Sequence, residues 1–178
     1  NQSRRQRQMC IRDRIKRLEH HSDVCVQLSL DRLARQARDR GKDWSMGSEW
    51  VEDLIDGLVR TLLSMGLINL DLMDLRAIVQ HKGASTMLVG TGHHDQLEGL
   101  YNATIKAPLA PMNVAGAKGC LLQIEGGMGM TIGQVDEIAT ALTSAVDSEA
   151  QVILGARVSP DLEGTIRIVM LLSGIGED

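Results

Sequence analysis

The sequence predicts an α/β domain: a mixed four-stranded sheet with helices packed on it and one long helix leading in. Three observations predict it. Val51, Leu54, Ile55, Leu58, Val59, Leu62 and Leu63 recur at i, i+3, i+4, i+7 spacing, the stripe of an amphipathic helix. Four short apolar runs, at 86–89, 120–124, 152–158 and 165–172, have strand length. Two more helical stripes, one from Leu97 to Ile105 and one from Ile132 to Leu142, fall among those runs.

Size and composition narrow the class. With 178 residues, 43% of them apolar, the chain can bury one real core and carry a leading arm. Two Trp, one Tyr and no Phe leave that core to Leu, Ile, Val, Met and Ala. No apolar run reaches the ~20 residues of a membrane span, and the Arg-rich start lacks the apolar centre of a signal peptide, so a cytoplasmic protein is expected. Cys10, Cys25 and Cys120 have no metal-ligand spacing and read as reduced thiols, the last two in strands. The net charge of −4 is uneven: residues 1–42 carry 12 Lys or Arg against 5 acids, and residues 43–178 carry 7 against 18. Nucleic-acid binding by the basic arm is only a runner-up, because no aromatic residues interleave the basic ones to stack on bases. Arg4 to Arg14 reads either as a basic helix start or as sequence that is in part not native, since Met9-Cys10-Ile11-Arg12-Asp13-Arg14 is similar to translated sequencing adapter, and this removes weight from any function assigned to the arm.

In chain order, Ile11, Ile15 and Leu18 form a short helical stripe, and Val24, Val26, Leu28 and Leu30 alternate as a strand does. A polar stretch at 34–43 precedes the long helix, which ends near Gly66. After the loop that follows, Leu75, Ile78 and Val79 continue a helix to Lys82-Gly83, and Thr86 to Val89 forms a strand. Gly90-Thr91-Gly92-His93-His94-Asp95 is expected to turn the chain into the helix of Leu97, Leu100, Tyr101, Thr104 and Ile105, stopped by Pro108 and Pro111. Adjacent histidines diverge in regular structure, so this cluster reads as a solvated helix start and not as a metal site. Cys120 to Ile124 is a strand, and Thr131 caps the helix of Ile132, Val135, Ile138, Ala139 and Leu142. The glycines between them are not a P-loop, because Lys118 runs into Gly119 and a strand instead of Ser or Thr and a helix. Val152 to Val158 and Thr165 to Leu172 complete the sheet, the second central by its continuous apolar run, with Pro160 and Gly164 framing a hairpin-like turn between them.

The stretch from Gly66 to Arg76 holds the chemistry. Gly66-Leu67-Ile68-Asn69-Leu70-Asp71-Leu72-Met73-Asp74-Leu75-Arg76 sets Asn69 as the N-cap, with Asp71 and Asp74, three apart, on one face of the first turn. Two carboxylates so placed could grip a cation or orient a water. The pattern is also ordinary helix-start chemistry, favoured by the helix dipole, and spacing alone prefers that reading.

This whole stretch resembles the synergy loop of FtsZ, the tubulin-like GTPase of prokaryotic cell division. Gly116-Ala117-Lys118-Gly119, Glu125-Gly126-Gly127, Gly155-Ala156-Arg157 and Leu162-Glu163-Gly164-Thr165-Ile166-Arg167 are similar to that family in order and approximate spacing, over residues 51–174. The resemblance implies the tubulin/FtsZ C-terminal type of fold: a remnant of the nucleotide-binding domain at 1–42, the central helix at 43–66, and an activation domain at 67–178 with the synergy loop at 66–76. It implies GTP hydrolysis at a site split between successive subunits of a head-to-tail protofilament, in the cytoplasm at the division ring. Asp71 and Asp74 would orient the attacking water and its cation, Mg2+ or another, and Asn69 would fix the loop. Trp44 and Ser48 fall where the family contacts guanine, although Ser48 stands where the family has Asn or Asp. No Gly-Gly-Gly-Thr-Gly-Thr-Gly phosphate loop occurs in these residues, so the chain alone is expected to be inactive, with GTP held mainly by a missing N-terminal domain. The family's flexible tail is also missing, so membrane-anchor partners cannot be inferred, and no nucleic acid is expected. The alternative is a non-catalytic tubulin-like interaction module.

Overall fold

The computed structural model describes residues 2–27, 29, 34–35, 55–56, 59–60, 63, 66–105, 113–144, 146 and 148–176. Helix α1 runs Gln2–His20, α2 Leu72–Val79, α3 Leu97–Ile105 and α4 Ile132–Thr143. The strands are β1 Ala84–His93, β2 Gly119–Gly126, β3 Gln151–Val158 and β4 Thr165–Ile175, in the order β1-β4-β2-β3. β4 pairs antiparallel with β1 and with β2, while β2 and β3 run parallel, which makes the sheet mixed as the sequence predicts.

Both faces of the sheet are covered, so the central strands can be apolar without alternation. Leu122, Ile124, Ile168, Met170 and Leu172 point to one face and meet Leu100 of α3 and Val135, Ile138 and Leu142 of α4. Leu121, Val169 and Leu171, from the intervening positions, meet Ile78 and Leu75 of α2 together with Leu70, Val24 and Val26. Burial of β4 is almost unbroken from Ile166 to Ile175, in keeping with its central place.

Several expectations change. The 152–158 and 165–172 strands do not form a hairpin, because β2 lies between them and the chain crosses over its end. The crossing is a 3-10 turn at Pro160–Leu162, tied by the Ser159 amide donating to the Gly126 carbonyl (2.8 Å). A Cβ on Gly127 would sit 2.6 Å from the Leu162 carbonyl oxygen, so glycine is what lets the connection pass. Gly90-Thr91-Gly92 does not turn but continues β1, and its glycines serve packing: a Cβ on Gly92 would press on Leu100 of α3, and one on Gly90 on Thr104. The strand expected from Val24 to Leu30 is a single parallel bridge, Val26 to Ser85; Cys25 lies beside it outside any strand, and positions 28 and 30 lie outside the described residues. Of the α1 stripe, Ile15 is half-buried while Ile11 and Leu18 are exposed. Of the 43–66 helix, residues 55–56, 59–60 and 63 are helical, and Ile55, Val59 and Leu63, four apart, are exposed; Gly66 lies past the helix, and positions 43–54, 57–58, 61–62 and 64–65 lie outside the described residues.

Candidate functional site

The acidic loop is fastened to the free edge of β3. Ile68 and Ala156 exchange two backbone hydrogen bonds, Ile68 N to Ala156 O at 3.0 Å and Ala156 N to Ile68 O at 2.9 Å. A Cβ on Gly66 would fall on the Ala156 carbonyl, and one on Gly155 would be 2.7 Å from Leu70 Cγ. Both glycines therefore allow a close approach that any side chain would block. Leu70 is buried at 6% exposure and pins the loop to the α2 face of the sheet.

This anchoring delivers Asp71 and Asp74 to the start of α2. The N-cap is Asp71 and not Asn69, as the sequence reading had it. Asp71 Oδ1 accepts from the Asp74 amide at 2.8 Å, and Asp74 Oδ2 accepts from the Asp71 amide at 3.1 Å, a complete capping box. Asn69 instead accepts from the Gly66 amide at 2.6 Å and closes the loop on itself. Asp71 is exposed, Asp74 half-buried, and Leu72 and Met73 between them are 72% and 67% exposed. One oxygen of each carboxylate is engaged in the box, leaving the other for a water or a cation. An all-oxygen donor pair of this kind suits Mg2+.

The structure thus brings Asn69, Asp71 and Asp74 together on one short segment. Trp44 and Ser48 lie outside the described residues. The 126–130 loop is a turn, closed by the Met130 amide on the Gly127 carbonyl and followed by the Thr131–Gln134 capping box, and it offers no phosphate cradle.

A charged cluster on the sheet escaped the sequence reading. Glu125 pairs with Arg157, and Arg167 lies 3.7 Å from its other oxygen; the Glu125 side chain is 7% exposed. Glu125 stands opposite Arg157 in the β2–β3 register and opposite Arg167 in the β2–β4 register, so the signal exists only once strand order is known.

Comparison with known proteins agrees with this architecture. The FtsZ family, C-terminal domain, matches residues 83–176. "Cell division protein FtsZ 2" of Methanocaldococcus jannaschii is 30% identical over 136 residues, which are 74% of this chain and 36% of that protein. "Cell division protein FtsZ" of Caulobacter vibrioides is 32% identical over 166 residues, 90% of this chain and 33% of that protein. The chain thus spans about a third of the length of these curated relatives. Among solved structures, an empty FtsZ dimer of M. jannaschii superposes with a TM-score of 0.79 at 23% identity, covering 90% of this chain and 48% of that one. CetZ2 of Haloferax volcanii, in a GTPγS-bound protofilament, gives 0.65 at 16% identity, covering 92% and 50%. With a C-terminal-domain match over more than half its length and the same mixed sheet, this chain belongs to the FtsZ family.

Proposed function

We propose that this chain supplies the synergy-loop half of an intersubunit GTP hydrolysis site in a polymerising cell-division GTPase. The observation that carries the reading is the presentation of Asp71 and Asp74 at an exposed helix start, on a loop clamped to β3 by the Ile68–Ala156 bridge. Carboxylates beside the phosphates of a neighbouring subunit repel them unless a cation or a proton-relaying water intervenes, so the site works only when assembly brings both halves together. Asp71 and Asp74 then orient the attacking water and take its proton, and Asn69 holds the loop closed through Gly66. A Mg2+ ion held by their unengaged oxygens would supply charge neutralisation at the phosphates. Trp44 and Ser48 are proposed to face the guanine, and self-association is head to tail, as the dimer and protofilament states named for the neighbouring structures support. The place of action is the division ring.

The test joins residues 43–178 to the nucleotide-binding domain of a relative and compares Asp71→Asn and Asp74→Asn with the parent. GTP affinity of the monomer should be unchanged while turnover per assembled subunit falls ~10²–10⁴-fold, the scale for loss of a positioned proton-handling group. Unchanged turnover would reduce both residues to a helix cap. That second reading, a non-catalytic interaction module, is favoured by the capping box itself, which accounts for both carboxylates without chemistry.

A further inference from the structure

We propose that His93, His94 and Asp95 form a binding site for a divalent cation of the zinc class, separate from the acidic loop. In a continuing strand, neighbouring side chains point to opposite faces. Here β1 ends at His93 and the chain turns, the Gln96 amide donating to the His93 carbonyl at 3.0 Å. The turn folds the two histidines together. Their rings stack with centroids 4.6 Å apart, against the divergence expected from the sequence. Asp95 reaches both of them, with His94 Nε2 to Oδ1 at 2.8 Å and His93 Nδ1 to Oδ2 at 3.4 Å, and one donor atom from each of the three residues lies within 4.8 Å of the others.

Donors around a tetrahedral zinc, bound at ~2.1 Å, sit roughly 3.4 Å apart, so small side-chain movements complete the geometry. The Asp95 amide donates to His93 Nδ1 at 3.3 Å, which holds the His93 ring over the turn beside His94 and Asp95. Two imidazoles and one carboxylate select zinc-class ions over Mg2+ or Ca2+, which want oxygen alone. The fourth position has space as well. His94 borders a cavity of about 210 Å³ whose other walls include Met130, Glu163 and Thr165, open to a water or to the Glu163 carboxylate.

The backbone beneath the cluster is fixed. The His94 amide donates to the Gly164 carbonyl at 3.1 Å, so an ion here would sit on the joint between β1 and the β3–β4 connection. β1 and β3 are opposite edges of the sheet, so roughly 14 Å of paired strands separates this strand from the one that carries the acidic loop.

Calorimetric titration of the whole chain with Zn2+ tests the site. One ion per chain should bind here, and His94→Ala and Asp95→Asn should each weaken it by more than about 10-fold, the smaller end of the loss caused by removing only an outer partner of a metal ligand. Co2+ should give visible absorption bands that both variants lose. Asp95→Asn, nearly isosteric, keeps the test valid should His94→Ala fold poorly. A double His20→Ala, His21→Ala variant should bind as the parent does. Absence of binding, equal affinity in the His94 and Asp95 variants, or loss only on changing His20 and His21 would each overturn the proposal.

Discussion

Asp71 and Asp74 cap one another: each carboxylate accepts a hydrogen bond from the other's backbone amide, at 2.8 and 3.1 Å. The groups proposed for catalysis are thus also the groups that begin α2, and a simple truncation would confuse the two roles. Asn caps about as well as Asp, whereas Ala at an N-cap costs ~1 kcal/mol. Asp71→Ala should therefore lower the melting temperature of the 178-residue chain by about 2–4 °C, with Asp71→Asn close to the parent. In the completed subunit both changes should depress turnover alike. Thermal unfolding beside the turnover assay reads the two contributions separately.

Gly66→Ala should unfasten the loop. The new Cβ would meet the Ala156 carbonyl, which is backbone and cannot swing away, so the Ile68–Ala156 bridge must open. A cost of roughly 1–3 kcal/mol is expected from such overpacking, and hydrogen exchange at the Ile68 and Ala156 amides should accelerate. Gly129→Ala is the control, for nothing lies within 4 Å of its Cβ position, and it should stay within about 0.5 kcal/mol of the parent.

Stability should fall in alkali through Cys120. Burial pushes this thiol up from 9.0 to about 12. Between those values the unfolded chain has lost a proton that the folded chain keeps, so unfolding becomes easier as pH rises, by up to ~1.4 kcal/mol per pH unit. Below pH 9 both states are protonated and the contribution vanishes. Tyr101, whose phenol burial also pushes up, adds to the slope, so the decisive comparison is with Cys120→Ala. Denaturant midpoints from pH 8 to 10.5 should fall less steeply in the variant.

Without a phosphate-binding glycine loop in residues 1–178, the chain by itself should bind GTP more weakly than about 1 mM, under about 4 kcal/mol of binding energy. Added to an intact relative, it should dock its acidic loop on an exposed nucleotide face and offer none of its own, ending filaments at substoichiometric ratios. Titration calorimetry and light scattering check the pair of expectations. Micromolar GTP affinity, or scattering unchanged at every ratio, would count against the split site.

Much of this was written in local sequence. The 3.6-residue stripes of Leu97–Ile105 and Ile132–Leu142, the apolar runs of the four strands and the Thr131 cap are near-neighbour patterns, and the chain folds as they indicate. The acids of 66–76 and the ordered glycine motifs were legible for the same reason, and they sufficed for the family. What the sequence could not determine was which strand lies beside which. β2 between β3 and β4 undid the expected hairpin and set Glu125 against Arg157 and Arg167, since pairing joins residues tens of positions apart and carries no local signature. The cap passed from Asn69 to Asp71 because the loop is bound to β3 through Ile68, which holds the backbone extended as far as Asp71 and delays the first helical turn. Gly90 and Gly92 read as a turn from their type alone. They stay in β1 because helix α3 lies close against them, and His93 and His94 converge because the turn begins just after them; only the tertiary structure could decide either point.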